Sequence, residues 1–294
     1  MTTPSPAFPP GTLDDAALAA ALADGAGRVL LALRADIDAA GGDFEARAFK
    51  DAGDAAAQQW LADAITQARP DDAVLSEEAK DDAARTGADR VWIIDPLDGT
   101  REFAERASDG DWRDDFAVHV ALWARGAEDA TAGPGGLLAG AVALPARDVV
   151  HTTGAPSSST DLDAAAEAVL RGERPLRIAA SRSRPPAFVA ELAERDDVEL
   201  VPMGSAGVKV VSVVDGTVDA YVHGGGQYEW DSAAPVAVAL AAGHTATRLD
   251  GTPLEYNRQD PWLPDLFVCH STLAAHLRAA LQEVGVAIKE GAQS

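Results

Sequence analysis

The chain has 294 residues, 47% of them hydrophobic and 24% charged, and its 24 Lys and Arg face 47 Asp and Glu for a formal net charge of -23. These proportions belong to a soluble globular protein with a sizeable core and exclude collagen-like, wholly disordered and membrane-bundle chains. Such acidity opposes unspecific attachment to nucleic acid or anionic lipid, so neither is an expected partner, and a phosphate-bearing ligand must be received locally by cations, backbone N–H groups or a few basic side chains.

Residues 1–11 are Pro-rich and read as a loose tail. No Lys or Arg precedes Arg28, and Asp14, Asp15 and Asp24 interrupt the apolar residues that follow, so neither a secretory signal nor a membrane-spanning helix is expected. Helical spacing runs from Thr12, the expected N-cap, through Leu18, Leu22, Val29, Leu33 and Ile37 to a stop at Gly41-Gly42. A second helix is predicted over 54–68, with Trp60, Leu61 and Ile65 on its buried side and Pro70 beyond its end. Apolar or alternating runs at 73–75, 91–94, 116–123 and 137–144 read as strands. The stretch 154–175, with Pro156, the serines at 157–159 and Gly172, reads as the connection between two subdomains, 12–155 and 170–290. Beyond it, strands at 176–180, 199–201, 218–223 and 266–269 alternate with helical patterns at 186–195, 205–215 and 231–242, which argues for a layered α/β fold. Cys269, the single cysteine, ends an apolar strand and reads as an inert core thiol. It excludes an intramolecular disulfide and a four-cysteine zinc site and fits a reducing compartment, so a cytoplasmic location is expected.

Two apolar strands end in acids. Leu75 is followed by Ser76-Glu77-Glu78, and residues 91–100 read VWIIDPLDGT. Strand ends are where sites gather in α/β folds. Asp95 and Asp98 bracket Pro96-Leu97, and Gly99 permits a tight turn that directs both carboxylates and the Leu97 carbonyl toward one point. Oxygen donors in that arrangement suit a hard cation such as Mg²⁺. Each string also has a plain structural reading: a turn for Asp-Pro-Leu-Asp-Gly, an exposed loop for Glu77-Glu78, and a helix N-cap for Asp231 in Glu229-Trp230-Asp231-Ser232. Ser181-Arg182-Ser183 follows a predicted strand, and the run from Gly204 through Ser205 to Lys209 opens a predicted helix. Their N–H groups, together with Lys209, one of only four lysines, can meet an anion. The six histidines show no metal-binding spacing, and His119 reads as a packed side chain in an alternating strand, so zinc is not expected.

Together and in this order, the strings SEE, WIIDPLDGTREF and WDSAAPVAVALAAG resemble the magnesium-dependent, lithium-sensitive phosphatase superfamily that includes inositol monophosphatase and fructose bisphosphatase. The resemblance runs from the predicted helix at Asp54 to the strand before Cys269. Arg101-Glu102-Phe103 after DGT, and LDGTPLEYN at 249–257, are similar to the branch of bisphosphate nucleotidases acting on 3'-phosphoadenosine 5'-phosphate. The implied fold is an α+β layered sandwich in two subdomains, with alternating helix and sheet layers. The resemblance further implies that Glu77, Asp95 and the Leu97 carbonyl bind one Mg²⁺, and that Asp95, Asp98 and Asp231 bind a second. Thr100 and Asp54 would orient the attacking water, with a weaker third ion near Asp54 and Glu78 as a neighbour. Asp51 stands where the family carries a threonine. Substrate contacts are implied for Gly99, Thr100, Ser181, Ser183, Ser205 and Lys209. The implied activity is hydrolysis of the 3'-phosphate of 3'-phosphoadenosine 5'-phosphate to AMP in sulfur assimilation, with Li⁺ occupying a Mg²⁺ site. Action on inositol phosphate or fructose 1,6-bisphosphate, noncatalytic binding of nucleotide and metal, and a homodimer all remain open.

Overall fold

The structure, a computed structural model, describes residues 5–127, 131, 133–156, 160–182 and 185–288. Helix α1 (Asp15–Ala39) starts two residues later than the expected Thr12 cap, because a turn from Leu13 N to Pro10 O occupies that segment and the Asp14 carboxylate accepts the Ala17 N–H at 2.8 Å. Helix α2 (Ala46–Ala68) starts well before residue 54. The Glu45 carboxylate caps it through Arg47 N and Ala48 N, and Phe49, Gly53 and Ala57 continue its buried side under a polar-looking stretch.

The first sheet contains β1 (Ala73–Ser76), β2 (Arg90–Asp98), β3 (Ala117–Arg125), β4 (Gly135–Leu144) and β5 (Val149–Thr152) in sequence order. Only the β1–β2 pair is parallel. A four-residue helix, α3 (Thr100–Phe103), follows β2 directly. The chain continues through α4 (Thr160–Leu170), β6 (Leu176–Ser181), α5 (Ala187–Leu192), β7 (Val198–Met203), α6 (Ala206–Val214), β8 (Ala220–Tyr228), α7 (Glu229–Ala241), β9 (Thr245–Thr247), β10 (Trp262–Cys269) and α8 (Ala274–Glu283). The second sheet is ordered β7-β6-β8-β10-β9, parallel at its β7–β6–β8 side and antiparallel beyond.

Successive side chains of a strand point to opposite faces, and β2 shows the consequence. Its Trp92 and Ile94 join Leu18, Leu22, Leu30 and Leu61 of α1 and α2, whereas Val91 and Ile93 face Val208 and Val211 of α6 and Val236 of α7. Both faces of the sheet are therefore covered, which is why the strand reads as an unbroken apolar run. The α6–α7 layer is shared with Tyr221, Leu266 and Val268 of the second sheet. The outer face of that sheet, through Ile178, Val222 and Phe267, packs on α5 and α8. Five layers result, helix–sheet–helix–sheet–helix. Cys269 lies in the last core, and burial pushes its thiol up to about 12. By length and composition α1 is apolar enough to cross a membrane, with a mean hydropathy of 1.6, yet here its Leu18, Leu22 and Leu30 are wholly buried against the first sheet.

One guanidinium is sealed into this architecture. Arg34 of α1 is 4% exposed and donates to Phe103 O, Glu102 O and Arg113 O at 2.7–3.0 Å, with its plane 4.4 Å from the Phe116 ring centre. The Glu102 and Phe103 carbonyls close the short helix α3, so a residue far away in sequence fixes the turn that follows DGT. Replacing Arg34 by Met removes the donors and leaves buried carbonyls without partners. A loss of roughly 1.5–3 kcal/mol is expected in denaturant unfolding; an unchanged midpoint would show that the cage is not needed.

Candidate metal centre and active site

Asp95 and Asp98 lie three residues apart, so in a regular strand they would point to opposite faces. The register prevents that: Asp95 pairs with His119 and Asp98 with Ala117, so β2 carries one extra residue between them. This bulge turns both carboxylates to one side. Gly99 completes the turn at φ 90, where a Cβ would come within 3.2 Å of Asp115 O, Phe116 Cα and Ser205 Cβ. With Asp231 they form a group in which each residue offers an oxygen and all three lie within 4.8 Å of one another.

Every member of the trio is held by one oxygen. Asp95 Oδ1 accepts Leu97 N at 3.0 Å. Asp231 Oδ2 accepts Tyr228 N at 2.6 Å, which places Asp231 at the third position of α7 and not at the expected N-cap, a place that Tyr228 takes. Asp98 Oδ2 accepts Ser205 Oγ at 2.5 Å and Gly207 N at 2.6 Å, and His119 Nε2 lies 3.1 Å away. Gly207 is needed at this contact, because a Cβ there would stand 2.0 Å from His119 Nε2. His119 also sits 3.1 Å, through Nδ1, from Trp230 O. A carbonyl and a carboxylate both accept only, so donating to both at once takes the imidazolium form. Burial opposes that charge, but Asp98 outweighs it and raises the His119 pKa above its ordinary value.

The acids divide accordingly. Burial favours the neutral form of Asp98, yet His119, Lys209 and Ser205 hold it well below the usual carboxylate range. Burial and then Glu77, Asp98 and Asp231 drive Asp95 far above that range. Asp231 is raised to about 6 by burial and by Asp98. Glu77 follows Ser76, which pairs with Ile94, so it stands beside Asp95 at the parallel strand ends. It lies outside the converging trio. The residue is exposed, and its carboxyl group is still pushed up to about 7 by partial burial, Asp231 and Asp98. Asp54, half-buried on α2, is raised to about 7 by burial, Glu78 and Asp51. The α2 backbone at Gly53 lies against Leu97 and Phe103, which brings Asp54 to the α3 end of the site. There Thr100 Oγ1 donates to the Leu97 carbonyl at 3.2 Å.

The sequence-predicted anion contacts fall out differently. Ser205 caps α6, accepting Val208 N at 3.0 Å, and its own hydroxyl is committed to Asp98, so it stands behind that acid. Lys209 does not cover a helix surface: it is 6% exposed, its Nζ donates to Ser205 O at 2.6 Å and lies 5.2 Å from the Tyr221 ring centre, and burial lowers its pKa. Among the described residues no carboxylate lies within 4.0 Å of it. Ser181 ends β6, and Ser183 lies outside the described residues. Sequence reasoning missed His119 as a partner of the acids, because only the strand register sets it opposite Asp95.

Layered helices and two mixed sheets around buried, converging carboxylate oxygens define a protein equipped to hold a hard divalent cation. The model of the inositol monophosphatase family matches residues 13–285. The chain is 48% identical over 275 residues to the 3'-phosphoadenosine 5'-phosphate phosphatase of Mycobacterium leprae, covering 92% of this chain and 95% of that protein. It is 30% identical over 215 residues to the 3'(2'),5'-bisphosphate nucleotidase CysQ of Escherichia coli, covering 72% and 81%. The crystal structure of CysQ from Bacteroides thetaiotaomicron, a bacterial member of the inositol monophosphatase family, superposes with a TM-score of 0.66 at 26% identity, covering 87% of this chain and 97% of that one. The chain belongs to the inositol monophosphatase family, whose members are metal-dependent.

Asp54, Glu77 and Asp231 hold protons more tightly in the fold than at the ordinary 3.8 or 4.5. The folded state thus binds more protons than the unfolded chain, and the stability this gives is complete at acid pH and lost as pH rises through about 6–7. The cation-free protein is expected to melt lower at about pH 8 than at about pH 5, with a smaller fall for Glu77→Gln and a reversal on adding a divalent cation. Equal slopes for the two proteins in scanning calorimetry would count against Glu77 as one of the coupled acids.

Proposed function

We propose that this chain is a Mg²⁺-dependent phosphatase that removes the 3'-phosphate of 3'-phosphoadenosine 5'-phosphate, giving AMP and phosphate in the cytoplasm. The convergence of Asp95, Asp98 and Asp231 oxygens within 4.8 Å carries the reading. The names of its relatives support the substrate. The donors are all oxygen, the chemistry Mg²⁺ prefers. Glu77, Asp95 and the Leu97 carbonyl would hold one ion, Asp95, Asp98 and Asp231 a second, and Asp54 would lie beside a weaker third. Bound there, paired Mg²⁺ supplies positive charge for an in-line displacement at phosphorus and lowers the pKa of water.

The chain's own groups then do the following. Thr100 Oγ1 donates its hydrogen bond to Leu97 O and keeps a lone pair to accept a hydrogen bond from the attacking water. Asp54, poised at about 7, takes a proton from that water as a general base while the water's oxygen bonds to phosphorus, the P–O3' bond breaks and the leaving 3'-oxygen takes up a proton from solvent. Gly99 and Thr100 bring backbone N–H groups at the start of α3 toward the phosphate side of the turn. Lys209, a buried ammonium with no carboxylate partner among the described residues, offers its remaining N–H groups to an anion, with Ser181 at the end of β6 beyond it.

The test is phosphate release from 3'-phosphoadenosine 5'-phosphate, inositol 1-phosphate and fructose 1,6-bisphosphate in parallel, with Mg²⁺ and with chelator. The nucleotide should show the highest kcat/KM and lose turnover with chelator. Asp95→Asn should cost about a thousandfold, the rate equivalent of several kcal/mol of charge stabilisation. Lys209→Ala should raise KM for the nucleotide about tenfold and less for inositol 1-phosphate. Preference for a sugar or inositol ester would overturn the substrate, and release that survives chelator would overturn the metal chemistry.

A further inference from the structure

Glu229 is wholly buried, and its carboxylate accepts the backbone N–H groups of Asn257 and Arg258 at 2.6 and 2.8 Å. It opens α7, the helix whose third residue is Asp231. Asn257, turned at φ 58, offers Oδ1 to Arg85 Nη1 at 2.7 Å, and Arg85 Nη2 reaches Arg258 O at 2.8 Å. Arg85 is 2% exposed and lies in the single-turn helix Ala83–Gly87, within the connection from β1 to β2 that also carries Glu77. Its Nε donates to Asp81 at 2.7 Å, so all three guanidinium nitrogens are engaged. An unbroken chain of short hydrogen bonds therefore runs from the Glu77 connection, through residues 257 and 258, to the first turn of the Asp231 helix.

That connection needs a tie. Glu77 is exposed and follows the strand end beside Asp95, so like charge would drive it toward solvent and away from the other acids unless its connection were held. We propose that Arg85, Asn257 and Glu229 form a positioning clamp that holds the Glu77 connection against the Asp231 helix and so sets the cation affinity of the acidic cluster. The inference rests on the reading of that cluster as a cation site. None of the three belongs to the converging trio; they act through Glu77 and Asp231.

The experiment is titration calorimetry of the cation-free full-length protein with Mn²⁺ as the probe, on wild type, Arg85→Met, Asn257→Gly, Arg174→Met and Asp95→Asn, each checked for folding by circular dichroism. Asn257→Gly removes one arm of the clamp while keeping a residue that tolerates positive φ, so it reports even where Arg85→Met fails to fold. Arg174→Met cuts a bidentate pair with Asp219, 2.7 Å on both arms, elsewhere in the fold and controls for lost stability alone. The clamp variants are expected to weaken Mn²⁺ binding about tenfold, as displaced supports of metal ligands do, with KM for the phosphate ester nearly unchanged, while Arg174→Met melts lower but binds as wild type. Wild-type affinity in both clamp variants, with binding lost in Asp95→Asn, would overturn the clamp alone. Wild-type affinity in Asp95→Asn would overturn the cation site and the clamp with it.

Discussion

Like charges crowded at the end of a buried strand are the constraint around which this molecule is organised. Two ionised carboxylates about 4 Å apart repel by roughly 4 kcal/mol at an effective dielectric near 20. Asp95, Asp98 and Asp231 would part unless each were gripped from behind. The grip is the same in kind for all three: one oxygen accepts a backbone N–H, from Leu97, Gly207 or Tyr228. From each residue one carboxylate oxygen comes within 4.8 Å of those of the other two, on side chains already fixed in direction by these bonds. A cation placed there meets ligands already oriented, so little conformational entropy is lost on binding.

The unequal treatment of these acids follows from the same constraint. Asp98 alone receives a full cationic partner, His119, with a serine hydroxyl added, and it alone is held ionised against burial. Asp95, pressed between its neighbours, is driven toward the neutral form, and Asp231 lies between the two. In a chain with a net charge of -23, Lys209 and His119 are both buried beside this cluster. Bulk acidity and local phosphate chemistry are thereby compatible: the surface repels anions in general, and the site is left a few cations of its own.

Much of this was legible in the order of residues. The run Val91–Ile94 announced a buried strand, and Asp95-Pro96-Leu97-Asp98-Gly99 announced a turn rich in oxygen donors. These are local signals, set by neighbours in the chain. The face to which Asp98 points was not local, since it depends on a bulge whose register is counted against β3. His119 likewise looked like one more packed ring, because none of the acids it meets in the fold is near it in sequence. Lys209 was legible as an anion contact at a helix start, but its burial shows only in the packing of α6, all nine residues of which are buried. The start of α2 was missed for another reason: its cap is Glu45, a side chain whose capping use shows only in the bonds it makes to Arg47 N and Ala48 N.

The middle helical layer explains why core and site cannot be separated. Helices α6 and α7 both begin at the cluster, and their first turns donate N–H groups to Asp98 and Asp231. A helix N-terminus carries a partial positive charge, so two such ends aimed at the same acids lower the cost of keeping them together. Both helices are buried between sheets, α6 completely, which denies them the freedom to slide independently. A change in packing at Val211 or Val236 must therefore be felt as a displacement of Gly207 or Tyr228, because close-packed interiors transmit shifts of a few tenths of an ångström and do not absorb them. The precision demanded of the oxygen donors is in this way a property of the hydrophobic core, and the five-layer arrangement is what lets one core serve two helix ends that meet at a single point.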